Sequence, residues 1–161
     1  MTRQLLALGM LALGGCLALG GCLTGVGPTI GVRTTSEISL GWEASSSIMG
    51  TYWNSGAQVG QSFPLGPRRA TTYVAGQVYR LLHNGPDRDT DAYLGAALGF
   101  AGGEGGAQPY ASLWPMGLSG ERGCVPEGPV FTVQVGVRWI AGSGELYVAP
   151  KINRFSDYCL R

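Results

Sequence analysis

The chain has 161 residues, which is enough for one domain, and a formal net charge of +1 at pH 7. Charged residues make up 13%, against about 25% in ordinary soluble domains, while 28 residues are glycine and 45% are hydrophobic. A near-neutral chain has no field that attracts nucleic acid, and a single histidine, His83, disfavours imidazole-rich metal sites and most histidine-dependent catalysis. We therefore expect no nucleic-acid partner, no metal and no cofactor.

Residues 1–21 have the pattern of an export signal. Arg3 is followed by an uncharged apolar run from Leu5 to Leu13, which is too short for a membrane-spanning helix of about 20 residues. The run leads into small residues, as the hydrophobic region of a secretory signal does. We expect residues 1–21 to be a signal peptide and residues 22–161 to form a single domain.

The tetrapeptides at 13–16 and 19–22 both read Leu-Gly-Gly-Cys. This segment resembles the precursors of bacterial lipoproteins, in which a leucine and two small residues precede the cysteine that is acylated. The resemblance implies acyl chains on Cys22, with Cys16 as the alternative. In that family an aspartate directly after the acylated cysteine retains the protein at the inner membrane. Leu23 stands there in this chain, which implies a lipid-anchored protein of the outer membrane.

The cysteine count favours Cys22 as the lipidated residue. If Cys22 is acylated, Cys16 leaves with the signal, and Cys124 and Cys159 remain as an even pair. If Cys16 is acylated, three cysteines remain, and an odd thiol is the less favourable state in an oxidising compartment.

After Cys22 the recurring pattern has a period of two residues, interrupted by glycine and proline, which predicts β-strands. The predicted strands follow one another along the chain at 29–35, 36–48, 51–61, 71–82, 91–101, 108–113, 131–140 and 146–155. The clearest alternation runs from Phe131 to Ile140, where valines and Trp139 occupy one face and polar residues the other. A turn at 142–144 joins this strand to the last one, and the two predict a hairpin.

Several strands place a charge on the face that also carries glycine, serine and glutamine: Arg33, Glu43, Arg138 and Lys151. Small neighbours leave room for opposite charges to pair inside a narrow lumen while the apolar face points outward. Closure of the sheet removes its exposed edges, and eight strands enclose a space that side chains can fill. The sequence therefore predicts an all-β, antiparallel up-and-down β-barrel of about eight strands. An open sandwich is the alternative.

This pattern resembles the small eight-stranded barrels of outer membranes, whose strands of about 9–11 residues are apolar outside and polar inside. Aromatic residues occur near the predicted strand ends, where interfacial girdles lie: Trp53, Phe100, Tyr110, Trp114, Trp139 and Phe155. The chain departs from that family in ending on Arg161 rather than an aromatic residue, and in placing its longer loops at the lipidated end. Both a spanning barrel and a water-soluble barrel hung from the anchor remain open.

The strand count also predicts a disulfide between Cys124 and Cys159. The loop before the seventh strand and the tail after the eighth lie at the same end of such a barrel, and each contains one of the two cysteines. An oxidising envelope favours the bond, which would contribute about 2–4 kcal/mol to stability.

Catalysis and metal binding have weaker support in the sequence. Outer-membrane enzymes that modify lipid A use histidine with serine and a carboxylate, but His83 has no serine two positions after it. Asp87, Asp89 and Asp91 alternate as at the start of a calcium loop, yet the glycine and the distant glutamate of such a loop are absent in register. We expect no catalytic residue and no metal ligand.

Lipocalins, which are eight-stranded carriers of apolar ligands, have a Gly-x-Trp signature that Gly50-Thr51-Tyr52-Trp53 matches only in part. Charges at interior positions also argue against a lipid-filled cup. We therefore predict a non-enzymatic structural or interaction component of the bacterial envelope that belongs to a surface or transport assembly. Its expected partners are membrane lipid and other envelope proteins. A lipocalin-like carrier and a lipid A-modifying enzyme are the alternatives.

Overall fold

The computed structural model describes residues 22–48, 53–84, 90–103, 105–119 and 130–155. They form a closed barrel in which every strand pairs antiparallel with the next one along the chain and the last pairs with the first. The strands are β1 (Cys22–Arg33), β2 (Ile38–Ile48), β3 (Trp53–Pro64), β4 (Thr71–Asn84), β5 (Thr90–Gly103), β6 (Gly106–Ser119), β7 (Val130–Ile140) and β8 (Ser143–Phe155). The predicted all-β, eight-stranded up-and-down barrel is confirmed, and the open sandwich is excluded. The described residues include no helix with the length and hydropathy of a membrane span.

The register around the barrel defines its stagger. Moving from Cys22 to its partner on each successive strand returns to β1 at Val32, ten residues further along. The path runs through Cys22, Ile48, Ser55, Val78, Ala96, Leu113, Val137, Leu146 and Val32. In an eight-stranded barrel such a stagger corresponds to strands tilted by about 40° and an interior that side chains alone can fill.

Two strands, β1 and β6, are much longer than the sequence pattern predicts. β1 begins at residue 22 rather than 29, and β6 continues to residue 119 rather than ending at 113. Proline caused the second error, because a residue without an N–H is not expected inside a ladder. The β6–β7 register passes from Leu113 to Met116 without a partner for Trp114 or Pro115, so the ladder is interrupted where the proline lies.

The β7–β8 hairpin turns earlier than predicted. Ala141 and Gly142 connect the two strands, and both have positive φ, 50° and 74°. Two consecutive residues in this region form the turn whose twist matches that of the flanking strands. Ser143 and Glu145, which the sequence pattern placed in the turn or outside the strand, therefore belong to β8.

The two ends of the barrel carry different connections. The end where β1 begins and β8 finishes, here called the near end, also carries the connections at 49–52, 85–89 and 120–129. The opposite, far end carries those at 34–37, 65–70, 104–105 and 141–142. Cys124 falls in the longest near-end connection and Cys159 follows β8, so both residues of the predicted disulfide lie outside the described residues.

Candidate functional site

The lumen is filled by side chains, most of them polar. Arg33, Glu43, Arg138 and Lys151 are each at most 3% exposed, and Glu145 of β8 is 2% exposed. The structure thus places the four charges singled out in the sequence inside the barrel and brings a fifth to them. Glu145 was not predicted as a lumenal residue because the turn was placed too late in the sequence. It nevertheless lies on the same face of the strand as Tyr147 and Lys151.

Glu145 joins three adjacent strands at the far half of the lumen. Arg138 of β7 donates to Glu145 Oε1 from Nε at 3.0 Å and from Nη2 at 2.5 Å. Arg33 of β1 donates from Nε to Glu145 Oε2 at 3.2 Å and from Nη2 to Ser62 Oγ at 3.1 Å. A carboxylate that accepts from two buried guanidinium groups satisfies both of its oxygens, as a buried charge requires.

A second ion pair lies deeper in the lumen and is linked to the first. Lys151 of β8 donates from Nζ to Glu43 Oε1 of β2, and it is 3.3 Å from Ser45 Oγ. The Tyr73 hydroxyl of β4 donates to Glu43 Oε2 at 2.7 Å and accepts from Arg138 Nη1 at 3.1 Å. Tyr73 therefore connects the two carboxylates through a continuous chain of hydrogen bonds.

Aromatic rings enclose the Arg138 guanidinium. Its central carbon lies 5.4 Å from the ring centroid of Tyr73 and 4.7 Å from that of Tyr147. The Tyr73 ring also stacks on Tyr110, with 4.6 Å between centroids and 5° between planes, and Gln58 Nε2 donates to the Tyr110 hydroxyl at 2.9 Å. Cation–π contacts strengthen when the charge is desolvated, so this packing holds Arg138 in one place.

Glycines on neighbouring strands make room for this network. Gly27 of β1 is the register partner of Glu43, and a Cβ there would collide with the backbone of Pro150 and Lys151. Because Gly27 has no side chain, Lys151 of β8 reaches across β1 to Glu43. Gly95 likewise leaves space for Trp114, because the indole atoms of Trp114 would lie 2.5–2.8 Å from a Cβ added at Gly95.

Two aromatic residues expected in the interfacial girdles lie inside the barrel instead. Tyr110 is 1% exposed and Trp114 is 0% exposed, so their assignment to the outer surface was wrong. Both share the parity of Ser112, which points inward on β6. In the sequence, Tyr110 and Trp114 fall on the opposite face from Leu113, which is exposed. This alternation indicates their inward position more strongly than a place near a predicted strand end indicates an interfacial girdle.

The outer wall is apolar. Large hydrophobic side chains are exposed on all eight strands, for example Ile30 at 54%, Leu98 at 73% and Val137 at 55%. Among strand residues whose side chains are described, Arg80 is the one charged residue that faces outward. It lies near the end of β4, with its guanidinium carbon 5.5 Å from the ring of Trp53.

Exposed aromatic residues mark both edges of this wall. Trp53 and Phe131 lie at the near end, and Phe63, Phe100 and Trp139 lie at the far end. On β3 alone, the ten steps from Trp53 to Phe63 at about 3.3 Å per residue and a tilt of about 40° span about 25 Å along the barrel axis. Apolar bands of transmembrane barrels have about this height.

Comparison with known proteins yields a fold and no family. No protein-family model matches the chain, and no curated protein matches it. A solved structure from the de novo design of transmembrane β-barrels aligns with a TM-score of 0.52 over 84% of this chain and 97% of that one, at 12% identity. The chain shares the fold of that designed barrel. At this identity the likeness concerns the fold alone, so the function has to be argued from the residues.

The remaining candidates from the sequence lie wholly or partly outside the described residues. The backbone of His83 belongs to β4, where it pairs with Ala92 beside a register shift, rather than to a turn. Asp87 and Asp89 lie outside the described residues, and Cys22 is the first residue of β1. Within the described part of the chain, no three histidine, cysteine, aspartate or glutamate residues are grouped so as to hold a metal ion.

Proposed function

We propose that this protein is a bacterial lipoprotein whose barrel spans the outer membrane as a non-enzymatic structural or interaction component of the envelope, in contact with other envelope proteins of a surface or transport assembly. The observation that carries the proposal is the reversed distribution of polarity. Apolar side chains cover the outer wall, while five charged side chains of the strands meet inside: Arg33, Glu43, Arg138, Glu145 and Lys151. Water disfavours so large an exposed apolar surface, and a bilayer favours it.

The contents of the lumen favour a structural role over a carrier. A cup for an apolar ligand needs an apolar cavity, whereas the centre of this barrel holds Arg33, Arg138, Lys151, Glu43 and Glu145 in a hydrogen-bonded network. A ligand entering there would have to separate these ion pairs, which is costly in a low-dielectric interior. The network is suited to holding the strands in register, which leaves recognition to the connections at the two ends.

The proposed lipid anchor fits the geometry of the near end. Cys22 is the first residue of β1, so acyl chains on it would attach directly at the near rim of the apolar wall. Acyl chains and barrel would then enter the same leaflet together. Anchoring by two signals is more stable than anchoring by one chain, because each buried methylene adds to the membrane affinity.

The first test separates the anchor from the barrel. Wild-type protein is compared with a variant in which residues 1–22 are replaced by a conventional cleavable secretory signal, so that no acylated cysteine remains. We expect labelled palmitate to enter only the wild type, and both proteins to stay in outer membranes after an alkaline carbonate wash. A wild type without label would refute the lipoprotein assignment. Release of the unacylated variant would show that the barrel hangs from its anchor.

The second test concerns the folded barrel itself. Protein extracted in mild detergent should migrate differently on gels before and after boiling, as closed membrane barrels do. Identical mobility in both samples, together with solubility without detergent, would contradict a spanning barrel.

A further inference from the structure

The near half of the lumen contains a small cavity. Its walls are mostly polar and include Ser47 of β2, Gln77 of β4, Gln134 of β7 and Lys151 of β8. Ser47 lies one residue from the near end of β2, so the cavity is on the near side of the ion-pair network. Its volume is about 10 Å³. A cavity of about 10–15 Å³ holds a single water molecule, so this space admits an occupant of that size.

Two glutamine side chains of this cavity each have an unpartnered acceptor. Gln77 and Gln134 are 6% and 3% exposed. Neither Gln77 Oε1 nor Gln134 Oε1 has a hydrogen-bond partner among the described residues. The other atom of the Gln77 amide is already engaged, because Nε2 donates to Ser47 Oγ at 2.7 Å. Buried oxygens of this kind are normally satisfied, since leaving one without a donor is costly. Both glutamines therefore require a donor inside the cavity.

Lys151 determines which kind of occupant fits. Its ammonium has three protons, and its acceptors among the described residues are Glu43 Oε1 and Ser45 Oγ. The ion pair with Glu43 already balances the charge beside the cavity. An ammonium repels a metal cation placed next to it, and amide oxygens, which only accept, disfavour an anion. A water molecule both donates and accepts, so it suits the two oxygens and the ammonium together.

We propose that this cavity binds one structural water molecule, which donates to Gln77 Oε1 and Gln134 Oε1 and accepts from Lys151 Nζ. The strands β4 and β7 do not pair with each other, so the water joins them across the lumen. It supports the near half of the barrel, whereas Glu145 and its arginine partners join strands in the far half. The site lies inside the barrel, so the inference goes beyond the proposed function and does not depend on what surrounds the outer wall.

Magnetic relaxation dispersion of the water oxygen counts long-lived water molecules in solution and tests the site. Because the oxygen nucleus is observed, proton exchange with nearby hydroxyl groups does not imitate a bound water. Wild-type protein purified in detergent is compared with the Gln77→Met/Gln134→Met variant, which keeps side chains of similar length and removes both acceptor oxygens. We expect the variant to lose one long-lived water per protein molecule. Gln61→Met makes the same replacement at a side chain that bonds to the exposed Trp42, and this matched control should lose none.

A crystal structure of the wild-type protein tests the site even if the double variant does not fold. We expect one density peak in the cavity, within hydrogen-bond distance of Gln77 Oε1 and Gln134 Oε1. Separate soaks in rubidium chloride and sodium bromide distinguish water from an ion, because rubidium and bromide scatter anomalously. An anomalous peak in the cavity after either soak would identify an ion site and overturn the proposal. Equal numbers of long-lived waters in the double variant and the wild type, or a cavity without density beside other ordered waters, would overturn it as well.

Discussion

Removal of one partner from the Glu43–Lys151 pair should destabilise the barrel more than removal of both. Lys151→Met leaves the Glu43 carboxylate, 0% exposed, with the Tyr73 hydroxyl as its remaining described donor. Glu43→Gln removes the negative charge and leaves the Lys151 ammonium with neutral acceptors, among them Ser45 Oγ at 3.3 Å. Both side chains are at most 1% exposed. The free energy of unfolding of each single variant should therefore fall by about 3–5 kcal/mol, as it does when one partner of a buried ion pair is removed.

The double variant Glu43→Gln/Lys151→Met removes both charges and leaves two uncharged side chains of similar volume in contact. It should be more stable than either single variant, because each single variant leaves an uncompensated buried charge and the double variant leaves none. Glu37→Gln provides the control for an exposed pair, since Glu37 and Arg68 are 20% and 41% exposed. That change should cost less than about 1 kcal/mol.

Urea unfolding of the refolded barrels in detergent micelles, followed by tryptophan fluorescence, gives the free energies of unfolding of the wild type and the four variants. If Lys151→Met and Glu43→Gln each lower the free energy of unfolding as little as Glu37→Gln does, water must screen the lumenal charges. The description of a closed, desolvated lumen would then be wrong.

The other predictions use the same unfolding assay, except the last. Gly95→Ala places a methyl group 2.5 Å from an indole carbon and should cost about 1–3 kcal/mol by overpacking, whereas Gly76→Ala, whose nearest neighbour would be 4.0 Å away, should cost nothing measurable. With the barrel refolded into lipid bilayers instead of micelles, Val135→Arg in the middle of the outer wall should cost about 2–4 kcal/mol, and Val135→Leu should be tolerated; equal effects would argue against burial in lipid. Cys124 and Cys159 should react with maleimide in the denatured protein only after reduction, and labelling without reductant would exclude their disulfide.

The strands with strict alternation could be predicted from sequence because the period of two directly encodes two faces. From Phe131 to Trp139 every second side chain is exposed, and the intervening ones are buried. The extents of β1 and β6 could not be predicted in the same way. Pro28 and Pro115 interrupt the local pattern, yet the neighbouring strands hold the backbone extended on both sides of them.

The lumenal network was only partly predictable, for a related reason. Charge on a small-residue face indicated Arg138 and Lys151, but which carboxylate meets which cation depends on register, and register is a property of the closed barrel. Trp114 shows the same dependence: a large indole fits inside because its direct partner on β5 is Gly95. Neither pairing is a feature of any single strand.

The ion pairs also compensate for a weak point at the place where the barrel closes. The β1–β8 register has no partners for Gly27, Pro28 and Thr29, and Pro150 lies on β8 beside this gap. Proline has no N–H to donate, and both Pro28 and Pro150 lie where the one ladder that joins the ends of the chain has no register partners. On the lumenal side, Arg33–Glu145 joins β1 to β8 above the gap, and Lys151–Glu43 joins β8 to β2 across it. Buried ion pairs therefore bridge the seam at the place where the β1–β8 ladder has no register partners.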